Sequence, residues 1–555
     1  MDFQINPLGD HAMLVQISNR IDPKINDQVI ALHARLANIV ADKVLFFTPA
    51  FCSLGIGFDP ETISYEALAQ IVQEQFEQIQ IGVDLERRLI RIPVCYSTTC
   101  GIDLEHVAAT TGLDREQIIQ LHTSKTYQAH MLGFLPGFAY LGSVDPSLRV
   151  ERKTEPRLHV AAGSVGLAGE QTGVYPCDAP GGWQIIGRSP VSLVLDSADN
   201  QFLISPGDQV QFYSIDQDEF DSMSEKESIA ATSKNALLKQ PAVSPKEPIP
   251  IQPQSDLVSL HFKTAGLRTT VQDFGRTGHQ HLGIPSGGAM DRFSAAIANR
   301  LVGNADHAAV VEISLMGPAI EIKGDCKIAI TGADLSPKID GQTAPMWETI
   351  SISGCQRISF GSRKSGCRSY LAITGEFMLP TWLGSVSPSR FGTGSTTQPD
   401  SLKGQTITIT TASQPINKRR LPPSGRPVCL ADNQPQPVTR VIPMWAGIEW
   451  DWFSEQQRNA FLAHQFQILP NSNSMGYRLS SFTNQALDLP SVISSPVVPG
   501  TIQITSSGQA ILLMRDAQTT GGYPRIGNVC HAALNDLAQL CPGDFICFKL
   551  THSAC

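Results

Sequence analysis

The chain has 555 residues, enough for several domains, and its apolar share of 42% suits a globular protein. A net charge of −9 with no basic run argues against nucleic acid as the main partner. No apolar stretch approaches the length of a membrane span, and Met1-Asp-Phe-Gln-Ile-Asn6 lacks the basic and apolar regions of a signal peptide, so a cytoplasmic protein is expected. The 12 cysteines lack CxxC spacing, and the nearest pair, Cys95 and Cys100, has no accompanying His cluster. Free or buried thiols and no metal site are therefore expected.

Residues 1–86 alternate strand-like and helix-like runs. Ala12–Ile17 and Phe51–Phe58 read as strands, and Ile25, Val29, Leu32, Leu36 and Ile39 recur at helical spacing. A second helix is expected over Tyr65–Ile79, which together give a small α+β domain with two helices on one sheet face. Residues 87–220 begin with the strand Leu89–Val94. Asp103 caps a short helix ending at Gly112, and Asp114 with Gln117 forms a capping box for the next. Short strands and Gly/Pro turns follow through Ser192–Leu195, Phe202–Ile204 and Pro206–Phe212, the pattern of a β-barrel. Residues 221–256 hold Ser, Lys, Glu and Pro with no aromatic residue and read as a linker. Residues 257–555 open with a strand and turn over Gly266–Arg276, then a helix capped by Asp291 and ended at Gly303-Asn304, then more strands.

The densest stretch is His130-Met-Leu-Gly-Phe-Leu-Pro-Gly-Phe-Ala-Tyr-Leu-Gly142 with the following Pro156–Pro176. Glycines among aromatics and prolines make rigid turns, which serve either as pocket walls or as plain barrel corners. An internal echo points to two related barrels. Pro206-Gly-Asp-Gln-Val-Gln-Phe212 returns as Pro542-Gly-Asp-Phe-Ile-Cys-Phe548, and Gly163-Ser-Val returns as Gly500-Thr-Ile. Gln171–Pro176 is matched to Gln518–Pro524 across about ten extra residues.

These motifs resemble the two small subunits (B and C) of the prokaryotic ATP-dependent 5-oxoprolinase, fused in one chain. The pair is also known as a sporulation-kinase inhibitor and its antagonist, and as allophanate hydrolase subunits 1 and 2. Ile92–Tyr96, Leu132–Leu141, Gly163–Gly169, Gln171–Pro176 and Pro180-Gly-Gly-Trp183 are similar to the first of the two. Thr269–Asp273, Gly275-Arg276, Gly288–Asp291, Leu301–Asn304, Met475–Leu479 and Gln518–Pro524 are similar to the second. The resemblance implies a mainly β fold: two cyclophilin-like barrels plus the small N-terminal α+β domain. It departs in the second half, where Pro443-Met-Trp-Ala446, Ser472-Asn-Ser474 and Leu383-Gly-Ser-Val-Ser-Pro388 replace the usual Pro-Gly-Pro-Gln, Ser-Asp-Arg and Leu-Gly-Ser-Arg-Ser-Thr.

The implied activity is ATP-driven opening of 5-oxo-L-proline to L-glutamate. Such chemistry needs cationic or amide donors and a positioned base. His130, His159, Gln171, Tyr175 and Asp516 are the catalytic candidates. Arg157, Gln272, Asp273, Arg276, Arg478, Gln518, Thr519 and Tyr523 are the candidates for holding substrate or nucleotide. His122 is a further acid–base candidate. Structural alternatives stand beside them: a buried His is often a satisfied packing group, Asp291 is a helix cap, and Asp273 with Arg276 can simply bridge a turn. No GxxxxGK[ST] occurs, so a P-loop is excluded and the ATP site is not located; there is no biotin-accepting Met-Lys-Met. The expected partners are a small-molecule substrate and a separate protein resembling the large 5-oxoprolinase component (A), with a homo-oligomer as a further option. Two other readings remain open: a carboxyltransferase-like component of a urea carboxylase and allophanate hydrolase system, and a non-enzymatic histidine-kinase regulator.

Overall fold

A computed structural model describes residues 3–79, 87–195, 201–238, 256–389, 398, 401–411, 418–427 and 437–551. The N-terminal domain is a four-stranded antiparallel sheet in the order Gln4–Pro7, Ala12–Gln16, Ser53–Phe58, Val44–Pro49. Helices Pro23–Ile39 and Tyr65–Glu77 start where Asp22 and Ser64 accept first-turn amides. They bury Val29, Leu32, Leu36, Leu68 and Val72 in one core with Met13, Val15, Leu54 and Ile56.

The first barrel is closed. Its strands run in the order Thr126–Leu132, Gln209–Ile215, Leu89–Cys95, Gln184–Arg188, Ser164–Ala168, Gln171–Val174, Ala139–Gly142, and the last pairs back to the first. All pairs are antiparallel except Gln209–Ile215 with Leu89–Cys95. The second barrel repeats this order as Phe466–Gln467, Phe545–Leu550, Thr439–Ala446, Arg525–Val529, Thr501–Ile504, Gln509–Leu513, Gly476–Ser481, with its parallel pair at the same place. It is nearly closed, by a bridge between Ile468 and Leu479. Both barrels carry a ladder irregularity at matching positions, beside Gly187 and Gly527.

The repeat extends to buried carboxylates. Asp208 accepts from Ser205 N and Asp544 from Cys541 N at the two Pro-Gly-Asp turns. Asp103 stands at the N-cap of Leu104–Thr111 without capping it through its side chain. Its carboxylate instead accepts from Ile185 N (2.7 Å) and from Arg157. At the equivalent place Glu449 accepts from Arg525 N (3.0 Å) and from the Arg525 guanidinium. The register corrects one echo. The strand Gln171–Val174 corresponds to Gln509–Leu513, and Pro180-Gly-Gly-Trp183 corresponds to Thr520-Gly-Gly-Tyr523. Similar letters in adjacent turns had concealed this shift.

Between the barrels lies a β-sandwich built from strands within residues 256–411. Its seven-stranded and five-stranded sheets share a core of Val258, Leu260, Val271, Ile313, Ile322, Ile330 and Leu371. Helix Arg292–Val302 packs Ala295, Ala298 and Val302 against Ala329, Tyr370 and Ala372. Asp291 caps it, accepting from Ser294 N and Oγ, and Gly303 ends it with φ +81°. The stretch 221–256 begins inside a helix, Gln217–Leu238, and 239–255 lie outside the described residues.

The two halves dock through the glycine-rich turn at 133–137. Gly137 N donates to Leu282 O (3.0 Å), and a Cβ on Gly133 would stand 2.4 Å from Thr520 Oγ1. That part of the stretch is therefore a joint between halves. Asp10 accepts from His531 N (3.0 Å), and Trp382 Nε1 donates to Gln201 (3.1 Å). Nine of the described cysteines are free thiols. Among the described residues no helix is long and apolar enough to cross a membrane.

Candidate active site

A cleft of about 430 Å³ opens where the sandwich meets the second barrel. One wall is the turn and strand Ala265–Thr270 with Gln272, and the other brings in Met475 and Asp516 from the second barrel. Arg276 and Gly287 form the corner between them. Gly287 has φ +62°, and a Cβ there would stand 3.3 Å from Asp516 Oδ1 and 3.5 Å from Arg276 Nη1. Glycine thus leaves a guanidinium and a carboxylate facing one open corner.

Arg276 is buried but held. Its Nη2 donates to Ser387 O, its Nε reaches Trp382 O (3.5 Å), and its guanidinium lies 4.9 Å from the Trp382 ring centroid. Burial lowers its pKa, opposed by Asp273 and Asp516. Asp273 does not reach the cleft as a ligand. Its carboxylate accepts from Gly275 N, Ser385 Oγ, Val386 N and Ser387 Oγ, pinning the 385–387 loop that Arg276 also holds. Val386, standing where the resembling family usually has Arg, is buried in the sandwich core. Gln272 donates to Thr270 Oγ1 (3.0 Å), and its buried Oε1 has no partner. A buried acceptor without a donor is costly.

The other candidates lie elsewhere. Arg157 forms a two-armed ion pair with Asp103 (2.6 and 2.9 Å), joined by Lys153. His159 is on the surface with Asp178 (3.2 Å). Gln171 is half-buried at the start of its strand. Tyr175 is buried among Phe138 and its neighbours, and burial pushes its hydroxyl up to about 12. His130 is fully buried beside Phe51, both ring nitrogens lack partners, and burial brings it down to about 4. His122 lies inside the first barrel, bonded to Tyr96 and Thr172, and burial brings it down to about 3. Neither His is an acid–base group near neutral pH in this setting. Arg478 is exposed on its strand; Gln518 is half-buried, Thr519 is buried with its hydroxyl unpartnered, and Tyr523 is 49% exposed. The structure thus brings Gln272, Arg276 and Asp516 together. Gly287, Arg268 and Met475 were not among the site candidates, although Met475 opens the Met475–Leu479 motif, Arg268 lies in the Gly266–Arg276 strand and turn, and Gly287 adjoins the Gly288–Asp291 motif.

The profile described as "Carboxyltransferase domain, subdomain C and D" matches residues 3–204, and "Carboxyltransferase domain, subdomain A and B" matches residues 282–550. The chain is 37% identical to the B subunit of 5-oxoprolinase from Bacillus subtilis, over 40% of this chain and 98% of that protein. It is 34% identical to the C subunit of 5-oxoprolinase from Escherichia coli K12, over 52% of this chain and 90% of that protein. Urea amidolyase of Saccharomyces cerevisiae is 29% identical over 53% of this chain and 17% of that protein. The crystal structure of TTHA0988 in space group P212121 superposes with a TM-score of 0.79 at 27% identity, covering 97% of this chain and 99% of that one.

Proposed function

The chain belongs to the carboxyltransferase-domain family that includes the B and C subunits of 5-oxoprolinase, here joined in one polypeptide, and from that premise we propose that it is a component of an ATP-dependent 5-oxoprolinase. In this reading it opens 5-oxo-L-proline to L-glutamate together with a separate protein of the large, A-type component. The observation that carries the reading is the cleft corner at Gly287, where Arg276 Nη1 and Asp516 Oδ1 converge beside the unpartnered Gln272 Oε1.

These groups suit a small cyclic amide bearing a carboxylate. Arg276 binds the carboxylate, since charge-assisted bonds to guanidinium are strong and directional. Gln272 Oε1 accepts from the lactam N–H. Asp516 orients water towards the lactam carbonyl. A volume of about 430 Å³ lies within the range of small-molecule sites, roughly 300–1,000 Å³. The same corner does not fit a triphosphate, whose charge would meet the Asp516 carboxylate with only Arg268 and Arg276 as lining cations. ATP is therefore assigned to the partner's side of the complex.

The test is reconstitution of this chain with an A-type protein, measuring 5-oxoproline-dependent ATP hydrolysis and glutamate release. Turnover that needs both proteins is expected, and its absence would remove the proposal. The likeness to urea amidolyase favours one alternative, a carboxyltransferase component. It would be revealed instead by urea carboxylation dependent on an added biotin carrier.

A further inference from the structure

Behind the cleft wall, Arg515 is 3% exposed, and its guanidinium makes no hydrogen bond or ion pair among the described residues; its Nε is buried and unpartnered. Its carbonyl accepts from Gly287 N, which fixes the chain at this depth. Arg292, at the first position of helix Arg292–Val302, is its neighbour and disfavours its charge. Among the described residues the Arg292 guanidinium is held by Phe274 alone, through an Nη2 bond to the carbonyl (2.5 Å) and a ring contact (5.4 Å); its Nε too is buried and unpartnered. His531 completes the group. Its Nδ1 is buried without a partner, and both arginines act on it electrostatically.

The carboxylates nearby are engaged with other donors. Asp291 is committed to Ser294 N, Ser294 Oγ and Gln539 Nε2. Asp10 is committed to His531 N and His11 Nδ1. Glu312 accepts from Met290 N and Tyr370 Oη. Burial works against both charges; Asp291 favours that of Arg515 and Asp273 that of Arg292, but neither carboxylate forms an ion pair with them among the described residues. Two buried guanidiniums without a directly bonded counter-ion are costly, and they lie at the start of an 11-residue helix whose cap is Asp291. The arrangement is that of an anion site.

We propose that Arg515, Arg292 and His531 bind a small oxyanion at the start of helix Arg292–Val302, at the seam between the sandwich, the second barrel and the N-terminal domain. The shared chemistry is a compact anionic group with several acceptor oxygens, either a phosphate or a carboxylate. The proposal stands independently of the reading of the cleft, since none of its three side chains lines it.

The test is titration calorimetry on the full chain with inorganic phosphate and, separately, L-glutamate, at constant ionic strength. At least one is expected to bind in a way that Arg515→Met weakens, and the anion so affected identifies the source of the oxyanion, because glutamate held in the cleft would not respond to that variant. Arg515→Met should weaken that binding about tenfold or more while raising the thermal midpoint of the ligand-free protein, because it removes a buried unpaired charge. Arg292→Met provides the second measurement if the first variant does not fold. Absence of binding by both anions in the wild type, or unchanged binding in the folded variants, would overturn the proposal.

Discussion

Glutamine in place of Glu449 is the most demanding test of the barrel architecture. The Arg525 and Glu449 side chains are 2% and 6% exposed. Arg525 Nη2 donates to Oε1 (2.5 Å), Nε and the backbone N–H donate to Oε2 (2.8 and 3.0 Å), and Nη1 donates to Pro496 O (3.1 Å). Glu449→Gln keeps the shape and removes the charge, leaving a guanidinium enclosed by neutral groups. Removing one partner of a buried pair costs about 3–5 kcal/mol. Urea unfolding read by tryptophan fluorescence is the assay, because Trp445, Trp450 and Trp452 lie close by in the chain. A double variant, Glu449→Leu with Arg525→Met, should recover most of the loss, since apolar groups of similar volume replace such pairs at little cost. A loss below about 1 kcal/mol for Glu449→Gln, the worth of an exposed ion pair, would refute the buried-pair reasoning. So would a double variant as unstable as the single one.

The equivalent change in the first barrel, Asp103→Asn, should cost less than Glu449→Gln in the same assay, because Arg157 and Lys153 are about a quarter exposed and can turn to water. Burial lowers His33, His130 and His122 to about 4, about 4 and about 3, from an ordinary 6.5. The folded state therefore takes up protons later than the unfolded one, so stability is complete above about pH 6.5 and falls as pH drops towards 4. Urea midpoints across that window should decline, and a flat profile would contradict this. Gly283→Ala should loosen the docking of the halves: φ is +75°, and a Cβ would stand 3.1 Å from Gly133 Cα. Limited proteolysis should show faster cleavage near the joint, and an unchanged rate would count against it.

Much of this fold was legible in the sequence because its signals are local. Asp114 with Gln117 forms the capping box that its spacing announces, and Gly112 and Gly303 end their helices in left-handed conformation. The echo at Pro206 and Pro542 marked two barrels because each Asp in that turn has the same backbone job. The sandwich was hidden, since alternating strands do not say which sheet they join. The cleft was half-visible. Gln272, Arg276 and Asp516 stood in motifs, but their convergence depends on contact between the sandwich and a barrel more than two hundred residues later in the chain. Asp273 misled for a physical reason: a carboxylate beside an arginine reads as a site, yet four loop donors consume it. Arg157 misled likewise, its partner Asp103 being 54 residues upstream.

The most direct measurement is a crystal structure of this chain soaked with 5-oxo-L-proline. The expected result is difference density in the cleft, with the carboxylate on Arg276, the lactam N–H on Gln272 Oε1 and the carbonyl facing Asp516. An empty cleft at saturating ligand, or density only in the first barrel beside His159 and Asp178, would contradict it.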